Sequence, residues 1–595
     1  MTLATRLGRE WRYLGGLFRT LWRIRSIDAR LANLVCDDLE AAMDRWPARL
    51  AITFEGASLT YAQLEDRANR YAHWAVAQGL GRGEAVAIFL PNRLDYLAIW
   101  FGLAKVGVVG ALINNQLAGQ PLAHCLNISG ARHCLVDEET APVLAAARGF
   151  LAESVAEWSL AAPAGEQQDL AAAVALLPAT RPGGLVRAGM TARDTALFIY
   201  TSGSTGLPKA ARITHMRAQL YMRAFAGSTG ARADDRIYVT LPLYHATGGL
   251  CATGAALLNG ACVVLRRRFS ASQFWPEIAA EGATMFAYIG ELCRYLIDQA
   301  PLPGAAPHAL RLAFGNGLRA DVWRVLEERF PVPRVLEFYG STEGNVSMFN
   351  FDGRRGAIGR VPAWLSSQFN IALVRFDTDT EAPVRGEGGF CLRAPFGEAG
   401  ECLGRIGGDA RGAYTGYLDR AASEKAVLRD VFRKGDRWFR TGDLLRQDRD
   451  GYFYFVDRVG DTFRWKGENV STGEVTERIV EAPGVKAAIV YGVTVGALEG
   501  RAGMAALVVG EDFDLAAFAA HVQAGLPPYA RPLFVRLLPY LETTGTFKPR
   551  KVDLVAQGFD PAKVSGDLYV RAPAQGFTPM TPELYARIVG GEVRL

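Results

Sequence analysis

The chain of 595 residues has little of what usually settles a protein's class at a glance. Its eight cysteines, Cys36, Cys125, Cys134, Cys251, Cys262, Cys293, Cys391 and Cys402, form no CxxC pair, and none has a histidine at zinc-finger spacing. A disulfide framework and a structural zinc site are therefore excluded as organising principles, and the thiols read as isolated buried groups in a reducing compartment. No apolar run reaches the ~18 residues that cross a bilayer. The opening MTLATRLGREW has no uninterrupted apolar stretch and no cleavage site, so no secretory signal is expected. An excess of one charge is also lacking. The 66 basic and 61 acidic residues leave a net +5, too little over this length to imply a nucleic-acid partner. What is plentiful is apolar residues, at 50%, against 21% charged, which suits a large buried core.

The segment Arg9–Arg23 stands apart. On a helix at about 100° per residue, Trp11, Leu14, Leu17, Phe18, Leu21 and Trp22 share one side, and Arg9, Arg12, Arg19 and Arg23 gather on the other. That division suits a helix lying in the interface of an anionic membrane, or one packed on its own domain. From Asp37 to Val456, short apolar runs such as AVAIFL (85–90), TALFIYT (195–201) and RLAFG (311–315) alternate with helical stretches. This predicts an α/β fold with largely parallel sheets. Residues 155–182, rich in Ala, Pro and Glu, read as a surface excursion. After Phe390 the segments become shorter and turn-rich, and a smaller α/β unit follows a boundary near Asp457–Asp461. The expected organisation is a basic amphipathic segment over 1–34, a large domain over 35–457 and a small domain over 461–595.

Four segments carry chemistry. Thr201-Ser202-Gly203-Ser204-Thr205-Gly206 follows a buried-strand pattern and leads to Lys209, a flexible donor-rich loop suited to phosphate oxygens. It is no Walker A loop, because GxxxxGK[ST] is absent. Gly315-Asn316-Gly317 follows a strand, precedes a helix and has Glu337 downstream, which imitates a dinucleotide fingerprint and keeps a nicotinamide enzyme in contention. The next strand runs into Phe338-Tyr339-Gly340-Ser341-Thr342-Glu343: an aromatic able to stack on a purine, a hydroxyl for phosphate and a hard carboxylate oxygen for Mg²⁺. Arg440-Thr441-Gly442-Asp443 precedes Asp457-Arg458 and Arg464-Trp465-Lys466-Gly467-Glu468-Asn469; Asp443 can accept two ribose hydroxyls and Arg458 can hold sugar or phosphate. Lys548 is presented by a glycine-containing turn.

In this order, from about residue 35 onward, the segments resemble the adenylate-forming superfamily of acyl-CoA synthetases, luciferases and peptide-synthetase adenylation domains. YTSGSTGLPK is similar to its phosphate loop, FYGSTEG to its adenine-and-magnesium motif, and RTGD to its ribose motif. RRRFSASQFW, YIGELCRYL, GDTFRWKGENVST and PPYARPLFVRLLP narrow the resemblance to the very-long-chain acyl-CoA synthetase and fatty acid transport protein family. The resemblance implies an adenylate-forming ligase fold, with a large N-terminal domain and a small mobile C-terminal one. It implies ATP-dependent activation of long or very long fatty acids to acyl-CoA through an acyl-AMP, with a part in uptake. ATP, coenzyme A and fatty acid are then the substrates, and Mg²⁺ the cofactor.

The same resemblance places the residues. The 201–206 loop and Lys209 would take the β- and γ-phosphates, and Glu343 the Mg²⁺. Thr342 and Lys548 would meet the reacting α-phosphate and carboxylate. Tyr339 would stack on adenine, beside Gly315–Gly317. His245, in LPLYHATGG, would lie near the acyl carboxylate and the pantetheine. Between half-reactions the small domain would turn about Gly460, where relatives keep Asp or Lys, with Asp461 next. Lys548 would leave, and Arg464, Lys466, Gly467 and Glu468 would approach CoA. The acyl tunnel is expected near Leu243–Leu250 and Phe286–Leu292. A sterol or bile-type acid as substrate, and a transport component with secondary ligase activity, are the alternatives. The expected location is cytoplasmic and peripheral on a membrane; the sequence gives no oligomeric state.

Overall fold

The computed structural model describes residues 3–201, 207–299, 308–330, 332–378, 380–465, 468–496, 500–542, 551–564, 566–572 and 576–593. The chain divides into two compact units. The first comprises Met1–Asn370, Gly404–Leu428 and Arg437–Phe439; the second comprises Ile371–Leu403, Arg429–Asp436 and Arg440–Leu595. The elements that carry functional residues are helix α1 (Leu3–Ile24), strands β1 (Thr195–Thr201) and β2 (Lys209–Thr214), helix α2 (His215–Thr229), and strands β3 (Leu312–Asn316), β4 (Val335–Gly340), β5 (Arg437–Gln447) and β6 (Tyr452–Arg458).

In the first unit, two twisted sheets sit among helices. One has eight strands, in which Met285–Ile289, β3 and β4 run parallel and Ser347–Asn350 closes the edge antiparallel. The other has seven, with β1 parallel to Val109–Leu112 and antiparallel to β2. Strands such as Ala85–Ile88 and Cys262–Leu265 are buried along their whole length, as central parallel strands covered on both faces must be. That explains why their sequences read as continuous apolar runs and do not alternate. Residues 155–182 are not a simple surface excursion. Ala156–Ser159 adds a parallel strand to the seven-stranded sheet, and Trp158 is buried against Trp74.

Helix α2 begins where the Thr214 hydroxyl accepts the Arg217 amide at 3.2 Å, and it ends at Gly230, whose φ of 60° favours glycine. Helix α1 packs against it at a small residue: a Cβ on Gly227 would stand 2.8 Å from the Arg19 carbonyl oxygen. The Tyr13 hydroxyl donates to the Arg360 carbonyl at 2.9 Å, and Arg360 pairs with Glu10 at 2.6 Å, so α1 is tied into the unit. Its arginine side is part of that packing, since Arg19 donates to the Gly227 carbonyl and Arg23 to Asn259. The aromatic side is left outside: Trp11 is 75% exposed, Phe18 70% and Trp22 52%. Among the described residues no helix is long and apolar enough to cross a membrane.

In the second unit, β5 pairs antiparallel with β6, placing Asp443 opposite Arg458. Further on, a five-stranded mixed sheet (Val485–Val493, Ala502–Val509, Phe534–Leu537, Leu568–Ala572, Gly576–Pro579) has its own core around Ile489, Met504, Phe518 and Phe534.

Candidate active site

The site in the first unit is built where β1, β3 and β4 end. β1 delivers Thr201 to the donor-rich loop; Ser202, Gly203, Ser204, Thr205 and Gly206 themselves lie outside the described residues. β2 returns opposite, pairing Thr201 with Lys209, whose ammonium lies 5.7 Å from the centre of the Tyr417 ring. Tyr417 is a residue the sequence did not mark. Burial and the Glu343 charge push its ionisation well above the ordinary phenol range, and Thr201 acts on the same hydroxyl in the opposite sense, so both residues lie close to it. The edge of the first motif and the carboxylate of the second are thus brought onto one side chain.

The turn after β4 is held from below. The Tyr221 hydroxyl donates to the carbonyls of Ser341 (2.8 Å) and Thr342 (3.2 Å), and Arg217 Nη2 donates to the Ser341 carbonyl at 3.2 Å. Arg217 and Tyr221 stand one turn apart on α2, so one helix face fixes the backbone of the motif. That pairing was the signal available in the sequence. A cavity of about 210 Å³ opens here, lined in part by Asn316, Phe338, Tyr339, Gly340, Ser341 and Thr342. Ser341 Oγ and Asn316 Oδ1 are buried without a hydrogen-bond partner among the described residues. Both residues line the cavity, and a buried orphan costs about 1–3 kcal/mol unless something meets it.

Gly315–Gly317 owes its glycines to packing. Register places Gly315 between Tyr288 and Glu337 on the neighbouring strands, and a Cβ there would sit 2.5 Å from the Tyr288 ring. Gly317, with φ of 79°, turns the chain beside Gly290. Glu337 is no ribose ligand of a dinucleotide fold. It is 1% exposed, bonded to the Tyr288 hydroxyl and, at 3.0 Å, to the Leu318 amide, and burial pushes its carboxyl up to about 8.

His245 is half-buried, its ring 4.5 Å from that of Tyr244, just before a π-helical turn at Thr247–Ala252. Gly248 and Gly249 make the turn possible, since Cβ atoms there would meet the carbonyl oxygens of Pro242 (2.4 Å) and Leu243 (2.1 Å). Its neighbours Ala246 and Thr247 reach the wall of this cavity, and no residue of 286–292 does. Phe286 and Leu292 are buried, in and beside the strand Met285–Ile289.

In the second unit, Arg440 forms a two-pronged ion pair with buried Glu401 at 2.8 Å, and Thr441 donates to the Cys402 carbonyl. Gly442 has φ of 71°, and the Asp443 amide donates to the Thr441 hydroxyl oxygen at 3.2 Å. Asp443 stands 3.6 Å from Arg458. Asp457 is buried and caps the next helix through the Thr472 amide at 2.7 Å; burial raises its carboxyl. Gly460 has φ of 91°. Asp461 pairs with Lys551 at 3.0 Å, a contact the sequence did not reveal. Arg464 and Glu468 are exposed on a short hairpin; Lys466, Gly467 and Lys548 lie outside the described residues.

An α/β unit in which the ends of β3 and β4, at Asn316 and Gly340, line one cavity, followed by a second α+β unit, is the architecture of an adenylate-forming ligase. The AMP-binding enzyme family model matches residues 39–399, and that of the AMP-binding enzyme C-terminal domain matches 474–548. The human long-chain fatty acid transport protein 3 is 43% identical over 87% of this chain and 76% of its own length. The bovine long-chain fatty acid transport protein 1 is 41% identical over 95% of this chain and 89% of its own. Among solved structures, the anthranilate CoA ligase AuaEII in complex with anthranoyl-AMP superposes with a TM-score of 0.74 at 21% identity, covering 90% of this chain and 98% of its own. ATP-bound MatB from Rhodopseudomonas palustris superposes with 0.73 at 23%, covering 88% and 98%. At such identities the two structures speak for the fold alone. The chain belongs to the AMP-binding enzyme family, within its long-chain fatty acid transport protein branch.

Proposed function

We propose that the protein joins long or very long fatty acids to coenzyme A, through an acyl-AMP, at a membrane surface. A carboxylate is a poor acylating agent because oxide is a poor leaving group. Attack of a carboxylate oxygen on the α-phosphorus of ATP forms a P–O bond, breaks the bond to the β-phosphate and releases pyrophosphate. The CoA thiol then attacks the acyl carbon, and AMP, a good leaving group, departs.

The observation that carries this reading is that the single Tyr417 side chain stands beside Lys209, its ring centre 5.7 Å from the ammonium, and close to both Thr201 and Glu343. It supports a shared ligand for the donor-rich loop and the carboxylate. In this proposal the 201–206 loop and Lys209 bind the β- and γ-phosphates, Thr342 and Lys548 orient the reacting groups, and Tyr339 with Gly315–Gly317 receives adenine. Asp443 and Arg458 take the ribose, and His245 lies at the acyl carboxylate. Mg²⁺, when bound, supplies charge neutralisation on the phosphates, and Glu343 would hold it. Magnesium takes one or two carboxylates and completes its shell with phosphate and water. A lone acid therefore fits it, and among the described residues no denser cluster of ligands occurs. Gly460 serves as the pivot on which the small domain, 461–595, brings Arg464, Lys466, Gly467 and Glu468 to CoA. The exposed Trp11, Phe18 and Trp22 support peripheral attachment through α1 to a cytoplasmic membrane face.

The test is ATP–pyrophosphate exchange without CoA, and AMP release with it, over a panel of saturated and unsaturated fatty acids and a bile acid. Exchange driven by long fatty acids, and thioester formed on adding CoA, is the expected result. Turnover confined to the bile acid, or none with any acid, overturns the proposal. Fatty acid uptake by cells that survives Lys548→Ala would favour a transport role over ligation.

A further inference from the structure

The cavity at Ser341 and Thr342 has one wall that no motif accounts for. Leu17, Leu21 and Ile24 of α1 line it. Within Leu14–Ile24, at about 100° per residue, these three pass directly into Leu14, Phe18 and Trp22 with no charged side chain between them; Glu10, on the same arc, lies further towards the start of the helix and is held by Arg360. The second group is exposed. Leu21 belongs to both sets: it lines the cavity and is 38% exposed. One apolar surface therefore runs from inside the ligand cavity, over Leu21, to the outside of the protein. The arginines lie on the other flank, where Arg19 and Arg23 bond to the first unit. The wall is also fixed, since Tyr13 and Glu10 tie α1 to Arg360. A solvent channel for a polar acid needs no such surface. A path for an alkyl chain out of a lipid leaflet does, because it keeps the chain from water throughout.

We propose that α1 is both a wall of the acyl-binding cavity and its lipid-side mouth. The outer face of the helix rests in the leaflet, the fatty acid enters past Leu21 with its carboxylate leading towards Thr342, and the far end of the chain lies against Leu17, Leu21 and Ile24. This rests on the fatty-acid ligase reading given above and adds to it the route of supply and a length-determining surface.

The experiment uses the full chain. The ratio of kcat/KM for palmitate to that for octanoate is measured by pyrophosphate exchange for wild type, Leu21→Trp, Ile24→Trp and Leu21→Ala. A bulkier side chain on the wall should lower the ratio by about tenfold or more, and the smaller one should raise it. Ratios within about twofold of wild type in all three variants would remove α1 from the acyl site. Should a tryptophan variant fail to fold, as judged by its melting transition, Leu21→Ala still decides. In a second arm, palmitate is delivered in vesicles of equal parts phosphatidylcholine and phosphatidylglycerol, or on cyclodextrin. The triple variant Trp11→Ser/Phe18→Ser/Trp22→Ser should lose sedimentation with the vesicles. Its rate on vesicle-borne relative to cyclodextrin-borne palmitate should drop by about fivefold or more. An unchanged delivery ratio, or a wild type that ignores the vesicles, refutes the mouth. Failure of the ligase reading is distinguishable, because wild type would then turn over no fatty acid by either route, and the proposal falls with it.

Discussion

Tyr288 reaches Glu337 across the bare backbone of Gly315, and the two side chains are hydrogen-bonded at the floor of the glycine turn. Three parallel strands place these residues side by side, and only a missing Cβ in the middle one lets the tyrosine lie over it. Glu337 also receives the Leu318 amide, so a buried, proton-holding carboxyl supports the backbone beneath the proposed adenine pocket.

That carboxyl makes stability depend on pH in a definite direction. Burial raises its folded pKa from 4.5 to about 8, so the folded state keeps a proton that the unfolded chain releases. The associated stability is complete below about pH 4.5 and is lost as pH rises through 8. One proton gives a slope of at most about 1.4 kcal/mol per pH unit. Glu337→Gln, which keeps an acceptor for Leu318, should flatten the decline of the urea midpoint between pH 5 and 8. Parallel wild-type and variant profiles would show that Glu337 is already ionised. Glu337→Ala should cost about 1–3 kcal/mol at any pH, by orphaning Tyr288 and Leu318.

Ser341→Ala should separate stability from binding. Ser341 Oγ is buried without a partner among the described residues, so its removal costs the ligand-free protein nothing and gains up to about 1 kcal/mol. If the hydroxyl meets a phosphate or nucleotide oxygen, the KM for ATP should rise about tenfold in the same variant. Thermal melts without ATP and exchange kinetics with it make the comparison. A lower melting temperature in the absence of ligand would mean that the hydroxyl is a structural group.

Gly460 tests the pivot. Its φ of 91° is unfavourable for any residue with a Cβ, yet nothing stands within 4 Å of where that atom would be. Gly460→Ala should therefore cost about 1–2 kcal/mol through the backbone alone. Thioester formation should fall more than pyrophosphate exchange, because only the former needs the rotation. Equal loss of both would argue against a hinge here. The neighbouring Lys551–Asp461 pair is part-exposed, so Asp461→Asn should change stability by less than about 1 kcal/mol.

The sequence was most legible where a physical constraint acts over a few consecutive residues. Buried parallel strands showed as apolar runs, and Thr201, Asn316, Tyr339 and Asp443 were marked because hydroxyls, amides, aromatics and carboxylates beside glycine make dense local patterns. What escaped was long-range. Tyr417 meets Thr201 across more than two hundred residues, and nothing in its own neighbourhood singles it out. Lys551 meets Asp461 across ninety. A stretch such as Phe286–Leu292 reads the same in the sequence whether it lines a tunnel or fills a core, because both uses obey one apolar pattern. The amphipathic character of α1 was visible, whereas the division of its apolar arc between a cavity and the outside depends on where Arg360 and Gly227 anchor it.

Glu343→Gln gives the sharpest test of the proposed metal role, because the change keeps the shape and removes the charge. The change leaves the packing around Tyr417 as it is, so the melting temperature should hold within about 1 kcal/mol of stability. Holding the nucleotide's magnesium needs an anionic oxygen, and its loss should lower the rate of pyrophosphate exchange by about 10²–10³-fold. If the carboxylate acts through the metal, the defect should narrow as Mg²⁺ is raised, and Mn²⁺, a transition ion that the remaining oxygen and phosphate ligands hold more tightly, should narrow it further. A loss that ignores both metal identity and concentration would place Glu343 in a purely structural role behind Tyr417, and the carboxylate for the cation would have to be sought elsewhere in the chain.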